Sequence, residues 1–219
     1  MSGGAELNLP SMGTVEYRQD FLGDQVPDEF HLSLVGNGRV VPSSLFMVGG
    51  WLELSCHGVQ SVARCRLGED IDDSPVHHLN FAAKKNARAE ARIVLNGVDD
   101  FDVTVGFTGH EDPFRVGGAW LYRSKTKSWW FQVIDRGIES KIYTDFCHVP
   151  GQPFCLGVST SENEVVGYVE RCERAAILSN IPTDFGMPFE FQLWNGSVPG
   201  GGWSSPTMWV DYLLIHQDR

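Results

Sequence analysis

The sequence of 219 residues is poor in basic side chains: 17 Lys and Arg stand against 28 Asp and Glu, a formal charge of −11. A field of that sign repels phosphate backbones, and no dense Lys/Arg cluster offsets it, so nucleic acid is not an expected partner. Long apolar runs are missing too; none approaches the roughly 20 residues that cross a bilayer as a helix, so membrane insertion is not expected. The opening Met1-Ser-Gly-Gly-Ala-Glu-Leu-Asn-Leu-Pro10 has no basic segment followed by an apolar one. That is not the pattern of a secretory signal, and synthesis in a cytoplasm is expected. Cys56, Cys65, Cys147, Cys155 and Cys172 show no C-x-x-C spacing. Neither a zinc knuckle nor a redox motif is therefore read, and the thiols are expected to be reduced, small core residues. Helical periodicity is scarce: the best candidate, Phe81–Ala91, turns in its second half into the alternation Ala89-Glu-Ala-Arg-Ile93.

What the chain has in quantity is period-2 alternation, in a composition that is 42% hydrophobic and 11% aromatic and so ample for a core. Strands are predicted at 51–56, 89–95, 101–107, 119–122, 129–135, 142–145, 154–160, 164–170, 189–194 and 208–216. Gly36-Asn-Gly38, Asn96-Gly97, Gly117-Gly118, Pro150-Gly151, Asn195-Gly196 and Pro199-Gly-Gly-Gly202 punctuate them. Many short strands at this spacing predict a sandwich or barrel. No repeat or linker divides the chain, so a single domain over 17–219 is expected, preceded by an extended, turn-rich arm over 1–16.

Two stretches carry a family resemblance. Met208-Trp-Val-Asp-Tyr-Leu-Leu-Ile-His-Gln217, after Met187-Pro-Phe-Glu-Phe-Gln-Leu-Trp-Asn-Gly-Ser-Val198 and Gly200-Gly-Gly202, resembles the closing strands and glycine-rich loop of family 16 glycoside hydrolases. Asp20-Phe-Leu-Gly-Asp24 and Gly49-Gly-Trp-Leu-Glu-Leu54 are similar to sandwich modules carried by tailed bacteriophages. The resemblance implies an all-β, antiparallel jelly-roll β-sandwich of the concanavalin A-like superfamily. It does not extend to activity. Those hydrolases set two carboxylates on one strand as E-x-D-x-x-E, because retaining chemistry needs an acid and a nucleophile about 5 Å apart. Neither Trp120-Leu-Tyr-Arg123 nor Ser128–Asp135 supplies the pattern. Glu69-Asp-Ile-Asp-Asp73, beside Ser74-Pro75, reads as a solvated loop. Polysaccharide lyases on this fold use Arg, Gln, His and Tyr; Gln132, His148 and Tyr143 are present, but no ordered motif joins them. No catalytic residue is therefore assigned, and no Ser or Cys sits in a nucleophile context.

Binding residues are easier to nominate. Trp129 and Trp130 occupy adjacent strand positions and must point to opposite faces, one into the core and one outward; Trp203 sits among glycines. These three are the candidate carbohydrate-stacking rings. The resemblance implies a structural calcium at Asp211, with Asp20 and the Gly49-Gly50 carbonyls as companions, since calcium takes six to eight oxygens. His77-His78 diverge on a strand and read as surface residues, and Asp99-Asp-Phe-Asp102 reads as turn chemistry. Leu7, Leu9 and Pro10 of the arm are expected to strap onto a neighbouring subunit and cover sheet edges. The function expected is a non-enzymatic structural protein on the surface of a tailed-phage virion, as head decoration or as a tail or fibre component. Its partners would be other virion proteins or further copies of itself, and cell-surface glycans. The alternatives are a lectin-like carbohydrate-binding module and, third, a polysaccharide hydrolase or lyase.

Overall fold

Strands that alternate apolar and polar side chains bury their apolar faces by packing sheet on sheet, and this chain does so throughout. The computed structural model describes residues 6–8, 14–22, 25–43, 50–68, 81–97, 100–109, 115–183, 186–196 and 205–218. In chain order the strands are β1 (Glu6–Asn8), β2 (Thr14–Gln19), β3 (Phe30–Val35), β4 (Gly38–Ser43), β5 (Trp51–Cys56), β6 (Ser61–Leu67) and β7 (Phe81–Ala82). A 3-10 turn at Ala83–Lys85 leads to β8 (Arg88–Asn96), β9 (Phe101–Thr108), β10 (Val116–Arg123), β11 (Ser128–Asp135), β12 (Ile138–Tyr143) and β13 (Pro153–Thr160). The chain closes with β14 (Val165–Val169), β15 (Cys172–Ile177), β16 (Gly186–Met187), β17 (Phe189–Asn195) and β18 (Thr207–Asp218).

The front sheet has seven strands in the order β12-β11-β10-β9-β17-β6-β3. The back sheet has nine: β1-β2-β18-β8-β13-β14-β15, with β5 beside the first half of β18 and β4 beside β5. Their inward residues make one core, in which Trp120, Trp129, Phe107, Phe131, Phe189 and Phe191 are the largest fully buried side chains of the front sheet. Leu52, Leu54 and Ile93 meet them from the back sheet. Trp120 Nε1 crosses the sandwich to donate to the Gly157 carbonyl at 2.9 Å, so even this ring leaves no orphan donor. A bulge between Val116 and Ala119 brings the β10 backbone close to the opposite sheet. Gly118 has φ +136° there, and a Cβ would lie 2.6 Å from Val165 Cγ1, so only glycine fits.

The helix candidate over 81–91 contracts to the single 3-10 turn. Its alanines instead bury small faces at Ala87, Ala89 and Ala91, and β8 pairs on both sides, with β18 and β13. Ladder pairing there outweighs intrinsic helix propensity. The strand expected over 142–145 begins earlier, at Ile138. Arg136 and Gly137 both take positive φ (47° and 80°) and close a two-residue hairpin between Asp135 and Ile138. Part of the stretch read as an arm is strand: Glu6–Asn8, which includes Leu7, pairs with Glu16–Arg18 at the edge of the back sheet. Leu9 and Pro10 lie outside the described residues. Among the described residues, no helix is long and apolar enough to cross a membrane.

Candidate functional site

Alternation that sends Phe189, Phe191 and Leu193 inward sends Glu190, Gln192 and Trp194 outward, and the same rule holds on every front strand. Register then lines the outward residues into rows running across the sheet. One row reads Ser33, Arg64, Gln192, Thr104, Leu121, Trp130, Tyr143. The next reads His31, Arg66, Glu190, Gly106, Ala119, Gln132, Lys141. A third, on the other flank, reads Val35, Val62, Trp194, Asp102, Arg123, Ser128. At about 4.8 Å per strand, a row spans about 29 Å across the face. In its middle is a cavity of about 280 Å³ between Arg64, Arg66, Thr104, Gln132, Glu190 and Gln192. Thr108 also lines it, and its buried Oγ1 has no hydrogen-bond partner among the described residues. A hydroxyl left unmatched in that way costs about 1–3 kcal/mol, which a ligand or water hydroxyl would recover.

The tryptophan pair resolves as alternation requires. Trp129 is 0% exposed and sits among Tyr122, Phe146, His148 and Phe154, so it is a core residue and not a stacking ring. Its Nε1 donates to His148 Nδ1 at 3.1 Å, which requires the imidazole tautomer with Nδ1 bare; burial holds the His148 pKa below its ordinary value. Trp130 is the outward member. Its indole N–H donates to Gln132 Oε1 at 2.9 Å, its ring lies 6.0 Å from that of Tyr143, and the Arg123 guanidinium sits 5.7 Å from its centroid. Tyr143 itself is 64% exposed. Tyr143 and Trp194 are outward rings beyond the three expected from the sequence, and the polar residues Lys141 and Gln192 at i−2 on the same strands mark both positions as outward. Trp203 lies outside the described residues.

Among the described residues, the carboxylates on this face are not arranged as a hydrolytic pair. Strand β10 shows it Ala119, Leu121 and Arg123. Glu190 and Asp102 are the acids nearest its middle. Asp102 on β9 pairs with Trp194, four residues along β17 from Glu190, so the backbones of the two acids are about 14 Å apart. Retaining chemistry needs about 5 Å and inverting chemistry about 6.5–9.5 Å. Each acid is also engaged: Glu190 with Arg66 at 2.7 Å and Arg64 at 3.5 Å, Asp102 with Arg123 at 3.4 Å. Of the lyase-type residues, Gln132 and Tyr143 face outward, but His148 is on the core side with Trp129. His31 is outward but stands on the opposite edge strand from Tyr143, six strand spacings or about 29 Å away.

The implied calcium ligands meet a different environment. Gly50 does approach this region, for a Cβ on it would fall 1.8 Å from the Phe21 carbonyl oxygen. Asp20, however, is bonded to Arg18 at 3.1 Å, and Asp211 to Arg92 at 2.9 Å. Asp211 sits at a bulge between Val210 and Tyr212, which turns Asp211 and Tyr212 both outward where plain alternation would oppose them. Gly49 is outside the described residues. Among those described, no group of three His, Cys, Asp or Glu side chains is placed to hold a metal. The residues described thus fit arginine pairing and not a calcium cage. Saturating calcium at a hundredfold excess over its Kd would raise the melting temperature by about 5–10 °C for a chain of this size. With both acids on arginines, calorimetry in millimolar calcium and in chelator is expected to give the same midpoint within about 1 °C. A calcium-dependent rise would restore the cation.

All five cysteines are free. Cys56 and Cys65 are core residues as expected, and burial pushes the Cys56 thiol up to about 11. Cys147 and Cys172 correct the expectation, being exposed. Asp100, in the acidic turn, pairs with Lys125 at 2.8 Å. Glu69–Asp73 and His77-His78 lie outside the described residues.

No family model matches the sequence, and no curated protein matches it either. Solved structures do share its architecture. The chain is similar to a Bacillus licheniformis β-glucanase at 13% identity and TM-score 0.63, covering 100% of both chains. It is similar to LamAcat from Zobellia galactanivorans at 12% identity and TM-score 0.62, over 91% of this chain and 96% of that one. With an apo Crh5 transglycosylase it shares 13% identity at TM-score 0.61, over 99% of this chain and 88% of the other. Identity this low speaks to architecture and not to chemistry. The chain is an all-β, antiparallel jelly-roll sandwich of the concanavalin A-like type.

Proposed function

We propose that this protein is a non-enzymatic glycan-binding sandwich whose ligand lies across the outward face of the front sheet. The observation that carries the proposal is the row Arg64–Gln192–Thr104–Leu121–Trp130–Tyr143 beside the Thr108 cavity. Flat rings at one end offer apolar surface to a pyranose face. Amides, hydroxyls and guanidinium groups along the row offer the donors and acceptors that sugar hydroxyls need. Solved relatives in fold that are named for acting on glycans, the β-glucanase among them, support a carbohydrate ligand. The absence of a close carboxylate pair, among the described residues, supports binding without cleavage. On a glycan array, Trp130→Ala and Tyr143→Ala are each expected to weaken the best ligand by about 1–3 kcal/mol, or 5- to 150-fold. No reducing ends or unsaturated products should accumulate. Turnover, or affinity untouched by both changes, refutes the proposal.

A virion-surface role for the same module is favoured by one observation. Edge strand β3 leaves Leu32, Leu34 and Val35 between 43% and 53% exposed, and no strand pairs its outer side among the described residues. Such an edge suits addition of a neighbouring subunit's strand. Light scattering is expected to show a closed oligomer that Leu34→Lys disrupts. A monomer that Leu34→Lys leaves unchanged argues against assembly through this edge.

A further inference from the structure

The outward face of the back sheet holds a larger groove, of about 550 Å³, with no part in the reading above. Strand β13 is where the sheet surface drops, because Gly157 and Ser159 present almost no side chain. Gly157 lies between Glu90 of β8 and Tyr168 of β14, and a Cβ on it would already stand 3.2 Å from Tyr168 Cβ. The tyrosine thus walls one side of the depression, and Leu214, opposite Glu90 on β18, lines the other.

Two ionic arrangements meet in the groove, and they differ. Glu90 is fully engaged: Arg171 grips it with two bonds of 3.0 Å, and Tyr212 Oη donates to it at 2.7 Å. A network so complete is fixed scaffolding. One row further along, Glu16, His216, Arg88 and Ser159 stand in register on β2, β18, β8 and β13. Arg88 has no ion-pair partner among the described residues; Arg39, Arg136 and Arg174 also have none, while Arg18, Arg64, Arg66, Arg92, Arg115, Arg123 and Arg171 each have one. Of the four without a pair, Arg88 is the one that lines this groove. The nearest acid in its own row, Glu16, is two strands away, about 10 Å. Arg88 therefore presents an unspent planar fork of donors at the mouth of a trough, with the His216 imidazole and the Ser159 hydroxyl as cross-strand neighbours.

We infer that this groove is a second ligand site, for an acidic monosaccharide whose carboxylate lies on Arg88 and whose ring lies against Tyr168 over Gly157. Anion recognition rests on Arg88. The groove's two guanidiniums and two carboxylates balance overall, but Arg171 is spent on Glu90 and Glu16 stands about 10 Å from Arg88 across β18. A monovalent carboxylate therefore meets an open guanidinium and adds less repulsion than a phosphate dianion would. The shape selects the rest: the groove volume falls in the range of small-molecule sites, and its wall is a ring of the kind that packs on a pyranose.

The test uses the full chain and methyl β-glucuronide, with methyl β-glucoside and inorganic phosphate as comparison probes, read by saturation-transfer NMR and titration. The glucuronide is expected to bind, at least tenfold more tightly than the glucoside. Arg88→Gln and Ser159→Tyr, both at outward positions, should each weaken it at least tenfold, while Trp130→Ala on the front sheet leaves it unchanged. Failure of the front-sheet proposal would leave this pattern intact, so the two stand apart. The inference is overturned if the glucuronide does not bind or the glucoside binds equally well. It is equally overturned if phosphate competes at the same concentration, or if Trp130→Ala and not Arg88→Gln abolishes binding.

Discussion

Trp129→Ala is expected to destabilise the protein by about 3–5 kcal/mol, the cost of emptying a large aromatic site in a packed core. At about 2–4 °C per kcal/mol for a chain of this size, the melting temperature should fall by about 6–20 °C. The reasons are local and additive. The indole is in ring contact with Tyr122 at 5.0 Å, Phe154 at 5.7 Å and Phe146 at 5.9 Å. It also supplies the N–H that His148 Nδ1 accepts, so truncation leaves a half-buried imidazole nitrogen unmatched. Trp129→Phe separates the two terms, keeping most of the packing while losing the donor, and should cost less than the alanine. Trp130→Ala, one residue on, removes an outward ring and should cost under about 1 kcal/mol. Urea denaturation of the three variants checks the assignment. Equal losses at 129 and 130 would mean that the faces of β11 are wrongly placed.

That contrast marks what the sequence discloses and what it withholds. Alternation alone states that Trp129 and Trp130 diverge, and the remaining residues of β11 decide the direction. Phe131 and Val133 share the face of Trp129, while Gln132 shares the face of Trp130. The same signal was available in Glu190, Gln192 and Trp194 against Phe189, Phe191 and Leu193. Strand β6 was harder to see, because its inward residues Ser61, Ala63 and Cys65 are small and two arginines occupy the outward positions. Pairing partners are a different matter. Glu90 meets Arg171 across 81 residues of sequence and Tyr212 across 122, and nothing local announces either contact. The front rows are likewise the product of register among seven strands, which no single strand encodes. The bonding of Asp20 and Asp211 is non-local or side-chain specific in the same way: both are identifiable as acids, but the arginine two residues before Asp20 and Arg92 across the ladder set what they bond.

Glu190 gives the second large expectation. Its side chain is 5% exposed, and its carboxylate takes Arg66 Nε at 2.7 Å, with Arg64 at 3.5 Å. Arg66 is itself only 18% exposed, so solvent screens the pair far less than it would a surface bridge. Glu190→Leu leaves that guanidinium charge buried without its partner and should cost about 3–5 kcal/mol. The cost should belong to the orphaned charge and not to the bridge as such. A double variant, Glu190→Leu with Arg66→Met, replaces both ions by apolar groups of similar size and is expected to recover most of the loss. If the single change costs under about 1 kcal/mol, the pair behaves as a surface bridge and the rigid middle of the front face is not built on it. The stable double variant then separates stiffness from contact. Glycan affinity within about threefold of the parent would make Glu190 a positioning residue beneath the ligand. A loss beyond tenfold, or 1.4 kcal/mol, would place the Glu190–Arg66 pair against the sugar itself.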